Sequence, residues 1–236
     1  MQGQMIDITA TDGSGTFQGY LALPPAGRGP GLVLAQEIFG VNATMRETAD
    51  AFAAQGYAVL VPDLFWRQTP GVQLGYTPED WQRAFDFYKG FDEALGVQDI
   101  QAALNTLRQR PECSGTAIGV VGYCLGGKLA YLAACRTDAA VSVGYYGVGI
   151  ENNLDEAKHI RGQLTLHLAE NDSYCPPEAR QNILAALAPL PNVQCFTYPG
   201  MEHAFARIRG EHYDAAAATL ANQRTADAFR RVLGPH

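Results

Sequence analysis

Short apolar runs rich in β-branched residues alternate along the chain with longer segments in which apolar positions recur every three or four residues. That alternation is the signature of strands joined by helical crossovers in a mostly parallel sheet. The pattern predicts strands over residues 5–9, 17–23, 31–35, 58–61, 117–122, 141–146, 163–168 and 193–198. The first two alternate polar and apolar positions around a Gly13-Ser14-Gly15 turn, so they read as an antiparallel hairpin at one edge; the other strands read as buried on both faces. Helical spacing predicts helices over 44–55, 97–109, 125–135, 177–187 and 215–233, with Pro176-Pro177 as a start signal and Gly56 as a stop signal. The Pro-, Gly- and aromatic-rich stretch 62–75 reads as a loop, with a short helix over 80–88 beyond it. The expected class is therefore α/β, with about eight strands and helices on both faces of the sheet.

No repeat, low-complexity tract or linker interrupts this alternation, and 236 residues suit one large α/β domain, so residues 1–236 are expected to form a single domain. Hydrophobic residues at 47% against 17% charged residues describe a chain that buries a sizeable core. A formal net charge of -7, without a basic run to offset it locally, disfavours nucleic acid and anionic membrane partners. The first residues lack the basic start and apolar stretch of a secretory signal, and no window approaches the roughly 20 apolar residues of a spanning helix, which points to the cytoplasm. The five cysteines, Cys113, Cys124, Cys135, Cys175 and Cys195, are odd in number and contain no CxxC pair. They indicate neither a disulfide framework nor a zinc site. Four of them read as small buried hydrophobes.

Cys124 is the exception. It sits in Gly122-Tyr123-Cys124-Leu125-Gly126-Gly127, directly between a predicted apolar strand and a predicted helix. A G-x-nucleophile-x-G turn in that setting is the nucleophile elbow of α/β-hydrolases: glycines let neighbouring backbones pass close to a strained turn, and the helix N-terminus favours a thiolate. Such an enzyme needs an acid and then a histidine after later strands. Asp172 follows the strand over 163–168, with Glu170 as a rival acid, and His203 follows the strand ending at 198. The imidazole would carry protons while the carboxylate holds its orientation. The backbone N–H of Leu125 is one expected oxyanion donor, and that of Ile38, in the turn after the third strand, is the other. Glu37 in the same turn reads either as a salt-bridged structural glutamate or as a working carboxylate, since a carboxylate beside an apolar site is costly unless paired or used.

Gln36-Glu37-Ile38-Phe39-Gly40-Val41-Asn42, Gly122 to Gly127, Gly144-Tyr145-Tyr146-Gly147-Val148-Gly149 and His203-Ala204-Phe205-Ala206-Arg207 together resemble the segments of the dienelactone hydrolase family, in order and with matching separations, over nearly the whole chain. That resemblance implies opening of the enol-lactone ring of dienelactone to maleylacetate in chloroaromatic breakdown, without metal or organic cofactor. It implies a Cys124, His203 and Asp172 triad, and a Glu37 that bonds the resting thiol and takes its proton when substrate binds. The lactone bears a carboxylate, which arginine holds best. Arg207 matches one of the family's two arginines; Arg83 is the nearest arginine to the other, where the spacing departs from the family pattern and a solvated helix arginine is the competing reading. Phe85 and Tyr88 stand where the family carries Tyr and Trp, while Tyr145 is retained, and these three are the expected aromatic contacts to substrate. Family likeness also implies a monomer.

A related carboxylester or thioester hydrolase on the same scaffold is the alternative reading. A cysteine glutaminase would also carry a G-x-C-x-G elbow, but such enzymes place a carboxylate two residues after the histidine, where this chain has Phe205. A binding module with a vestigial site is a third reading, which the full set of nucleophile, acid, histidine and glutamate opposes. The segment Gly144 to Gly149 lacks the G-x-G-x-x-G spacing of a dinucleotide loop and reads as a strand end lining the pocket.

Overall fold

The computed structural model describes residues 3–234 and contains an eight-stranded sheet of order β1-β2-β4-β3-β5-β6-β7-β8. The strands are β1 (Gln4–Thr9), β2 (Thr16–Ala22), β3 (Gly29–Ala35), β4 (Ala58–Pro62), β5 (Cys113–Tyr123), β6 (Val141–Tyr145), β7 (Gln163–Ala169) and β8 (Val193–Tyr198). The helices are α1 (Ala43–Ala54), α2 (Pro78–Lys89), α3 (Glu93–Gln109), α4 (Leu125–Arg136), α5 (Pro177–Leu187) and α6 (Ala215–Leu233). The chain forms two compact units, one up to Val120 and the other from Val121, so the boundary falls inside β5 rather than at a linker.

In the first unit β1 and β2 form the expected antiparallel hairpin, from Gln4 opposite Leu21 to Thr9 opposite Thr16. β2 also runs antiparallel to β4, and β4 parallel to β3. Every residue of β3 and β4 is buried. The helix ends follow local chemistry. Asn42 caps α1 by accepting the Met45 N–H, and Gly56 beyond its C-terminus takes φ 107°, a conformation that costs glycine nothing. Thr77 and Asp80 form a reciprocal capping box at α2, with Pro78 in its first turn. α2 starts and ends slightly outside the predicted 80–88 because that box lies on polar residues that carry no periodic signal.

In the second unit β6, β7 and β8 run parallel, with Tyr145 opposite His167 and Ala169 opposite Tyr198. α4 is buried almost all round, from Leu125 to Cys135, as its Ala-, Leu- and Gly-rich sequence requires. The core of this unit includes Leu129, Val143, Leu164, Leu166, Phe205 and Phe229. Two expectations need correction. β8 is not buried on both faces: it is the edge strand, and most of its residues are exposed or half-buried. A kinked 3-10 segment, Ile150–His159, also escaped the pattern, because its polar composition lacks the 3.6-residue period of an amphipathic α-helix. No helix among the described residues is long and apolar enough to cross a membrane.

Candidate active site

The strand-to-helix turn is built around Cys124, which has φ 58° and ψ -117°. A non-glycine residue there costs of order 1–3 kcal/mol, and the surroundings must impose it. They do so by close backbone packing. A Cβ on Gly122 would lie 1.9 Å from the Gly126 carbonyl oxygen, and one on Gly127 would lie 2.4 Å from the Tyr145 carbonyl oxygen. The Cys124 N–H donates to the Tyr145 carbonyl at 3.1 Å, while the Cys124 carbonyl accepts from Gly127 N–H at 2.9 Å. The thiol is thus held half-exposed at the N-terminus of α4. Leu125, the first residue of that helix, has no i-4 carbonyl within the helix to occupy its N–H.

Asp172 lies on the loop after β7 and is 4% exposed. Its Oδ1 accepts the Tyr174 N–H at 2.9 Å, and its Oδ2 lies 2.9 Å from His203 Nδ1. An ionised carboxylate only accepts, so the imidazole donates from Nδ1 and turns Nε2 outward. The two loops are laced together by Asn171 N–H donating to the Met201 carbonyl at 2.8 Å. Glu170, the rival acid, is exposed and accepts the Gly200 N–H at 2.8 Å, so it braces the histidine loop rather than the imidazole.

The His203 ring meets Tyr146 at 5.1 Å and Tyr174 at 4.8 Å, both edge-on. Burial alone would lower its pKa. The charge on Cys124 and hydrogen bonds to Asp172 and to Cys124 outweigh burial and raise it to about 10. Sulfur, imidazole and carboxylate therefore form one hydrogen-bonded line. Burial, followed by the charges of Cys124 and Asp172, pushes the Tyr174 hydroxyl upward, with Arg207 acting in the opposite sense. Arg207 thus lies within electrostatic reach of Tyr174. Its backbone is set by a turn in which its N–H donates to Ala204, itself at φ 64°.

Tyr145 requires a correction. Its side chain is fully buried, with its hydroxyl 2.5 Å from Thr225 Oγ1 and donating to Asn222 Oδ1, so no surface remains for a ligand. Its neighbour Tyr146 meets the imidazole instead. The reason is local: Tyr146 leaves the strand with φ 38°, which breaks the alternation by which a strand distributes its side chains. Tyr174 was also missed, and the available signal was an aromatic residue two positions after the acid.

The remaining candidates lie in the first unit. Glu37 and Ile38 are buried in the turn after β3, and Phe39 in the same turn packs edge-on against Trp81 at 4.8 Å. Arg83 is exposed on α2, where Phe85 lies half-buried against Trp81 and Tyr88 is half-buried. Among the described residues no group of three or more His, Cys, Asp or Glu is arranged to hold a metal ion.

Sheet order, the strained strand-to-helix turn at Cys124, and Asp172 and His203 on the loops after β7 and β8 define an α/β-hydrolase fold. A solved α/β-hydrolase from Penicillium sp. sh18 superposes with a TM-score of 0.74 over 99% of each chain, at 14% identity. Within that class the chain belongs to the dienelactone hydrolase family, whose model matches residues 17–233. A relative from Azospirillum brasilense is 45% identical over 240 residues, covering 98% of this chain and 100% of its own. The carboxymethylenebutenolidase of Pseudomonas putida is 40% identical over 225 residues, covering 94% of each.

Proposed function

We propose that the protein is a carboxymethylenebutenolidase, opening the enol-lactone ring of dienelactone to maleylacetate with Cys124 as nucleophile. The observation that carries this reading is the strained turn that sets Cys124 at the head of α4 together with His203 Nδ1 lying 2.9 Å from Asp172 Oδ2, and a His203 pKa raised to about 10 against its burial agrees with it. A histidine with that pKa is an imidazolium at neutral pH, the natural partner of a thiolate.

In this reading the thiolate attacks the lactone carbonyl, and the developing oxyanion is met by the Leu125 N–H, aided by the dipole of α4. Collapse of the tetrahedral intermediate breaks the ring C–O bond. The enolate departs and takes the proton of the His203 imidazolium, leaving an acyl thioester on Cys124 and a neutral imidazole. Neutral His203 then takes a proton from water as it attacks the thioester, and the thiolate leaves. An enolate is a weaker base than an alkoxide and competes well with a thiolate as leaving group, so simple alkyl esters should be poorer substrates. The substrate carboxylate is assigned to Arg207. Family likeness offers Glu37 as the alternative to His203 as acceptor of the thiol's proton, and adds Ile38 N–H as second oxyanion donor and Arg83 as second carboxylate contact. The cysteines are all free thiols, which fits a reducing compartment such as the cytoplasm.

The test is steady-state hydrolysis of cis- and trans-dienelactone by the wild type, Cys124→Ala, Arg207→Ala and Arg83→Ala. Rapid turnover abolished by Cys124→Ala, with Arg207→Ala losing mainly kcat/KM, is the expected result. A raised KM in Arg83→Ala would place that residue in the carboxylate clamp. Failure to turn over either isomer would reject the lactone assignment, and turnover of an ester and thioester panel would then favour a hydrolase of that kind.

A further inference from the structure

The second unit contains a line of buried polar groups that the proposed chemistry leaves unused. His167, on β7, is fully buried. Its Nδ1 lies 2.8 Å from the Tyr198 hydroxyl and its Nε2 lies 3.0 Å from Thr225 Oγ1. Thr225 Oγ1 lies 2.5 Å from the Tyr145 hydroxyl, which donates to Asn222 Oδ1 at 2.9 Å. At the other end Arg224 Nη1 donates to the Tyr198 hydroxyl at 3.2 Å.

Only one proton arrangement satisfies every member. Tyr145 spends its hydrogen on Asn222, so it accepts from Thr225. Thr225 then accepts from His167 Nε2–H, His167 Nδ1 accepts from Tyr198, and Tyr198 accepts from Arg224. The line therefore runs in one direction, from Arg224 to Asn222, and selects a single tautomer of His167. Burial, followed by the nearby charge of Arg224, lowers the pKa of His167 to about 3, so the ring stays neutral and the tautomer is fixed at any working pH.

Geometry connects this line to the nucleophile. Tyr145 and His167 face each other across β6 and β7, and the His167 carbonyl accepts the Tyr146 N–H at 2.8 Å. The carbonyl of Tyr145 holds the Cys124 N–H, while the ring of Tyr146 meets His203. The end of β6 thus touches both members of the reactive pair, and its conformation depends on groups from β7, β8 and α6. Apolar packing could fill the same space, but hydrogen bonds also fix ring rotation and register.

We propose that Thr225 and His167 are positioning residues, holding Tyr145 and Tyr146 so that Cys124 and His203 keep their hydrogen-bonded alignment. This rests on the reading of Cys124 as nucleophile. Neither residue touches the reacting atoms.

Thr225→Val keeps the side-chain shape and removes the hydroxyl; Thr225→Ser keeps the hydroxyl. Both are compared with wild type for kcat and KM on dienelactone, and for the rate of Cys124 alkylation by iodoacetamide, with the adduct mapped by mass. Thr225→Val is expected to lower kcat about tenfold with little change in KM, because small misplacements of reacting groups cost rate rather than binding. Alkylation should slow in parallel, and Thr225→Ser should restore both. A folded Thr225→Val with wild-type kcat and alkylation overturns the proposal, and so does equal impairment of the two variants. If Thr225→Val does not fold, Tyr145→Phe removes the last hydroxyl while keeping the ring; wild-type kcat and alkylation there overturn the proposal equally. Should the wild type fail on dienelactone, the alkylation rates still decide the positioning role separately from the substrate assignment.

Discussion

His203 Nδ1 donates to Asp172 Oδ2 at 2.9 Å, joining two residues 31 positions apart, while the other carboxylate oxygen is held by the Tyr174 N–H. The acid is thereby clamped on one oxygen and free to orient the imidazole with the other. Asp172→Asn would preserve the size of the side chain but remove the charge that stabilises the imidazolium and allow the wrong tautomer. It is expected to lower kcat about 10³- to 10⁴-fold, measured on protein whose circular dichroism matches the wild type.

The raised pKa of His203 makes a signed prediction for stability. Between the ordinary value near 6.5 and about 10 the native state binds more protons than the unfolded chain, so this contribution is complete below 6.5 and disappears as pH rises through 10. The slope is at most about 1.4 kcal/mol per pH unit. Urea unfolding at pH 6 and pH 10 should show a stability gap between wild type and His203→Gln that narrows at the higher pH. A gap of constant size would contradict the ion-paired assignment.

His167 carries the opposite sign. Its native pKa near 3 lies below the unfolded value, so the unfolded chain binds more protons between the two and stability falls as pH drops from about 6.5 towards 3. Carboxylates titrate in part of the same range, so a comparison isolates the effect. Wild type should lose more stability between pH 7 and pH 5 than His167→Gln does, which chemical denaturation at the two pH values measures directly.

Gly122 and Gly200 separate steric from conformational cost. A Cβ at Gly122 meets backbone at 1.9 Å and nothing there can yield, so Gly122→Ala should destabilise by about 3 kcal/mol and distort the turn that presents Cys124. Gly200 has φ +72° but open space around it, so Gly200→Ala should cost only about 1 kcal/mol and leave activity near wild type. Thermal unfolding and turnover of the two variants test the ranking.

Most elements were legible in the sequence because their causes are local. Strand and helix periods, the Gly56 stop and the Pro176-Pro177 start depend on neighbours within a turn or two. The strand-to-helix turn at Cys124 was equally visible, since glycines flanking a cysteine between an apolar strand and a helix mark a tight, closely packed turn. Chain order then pointed to Asp172 and His203.

Tertiary structure decided what depends on partners distant in the chain. It chose Asp172 over Glu170 by bringing one carboxylate to the imidazole and the other to the Gly200 N–H. It turned Tyr146 rather than Tyr145 towards His203, through a positive φ that strand periodicity does not express. It made β8 an edge strand and joined His167, Tyr198, Thr225 and Tyr145 into one buried line. Propensity and pattern are read over a few consecutive residues; burial, hydrogen-bond partnership and proton affinity belong to contacts that exist only once the chain has folded.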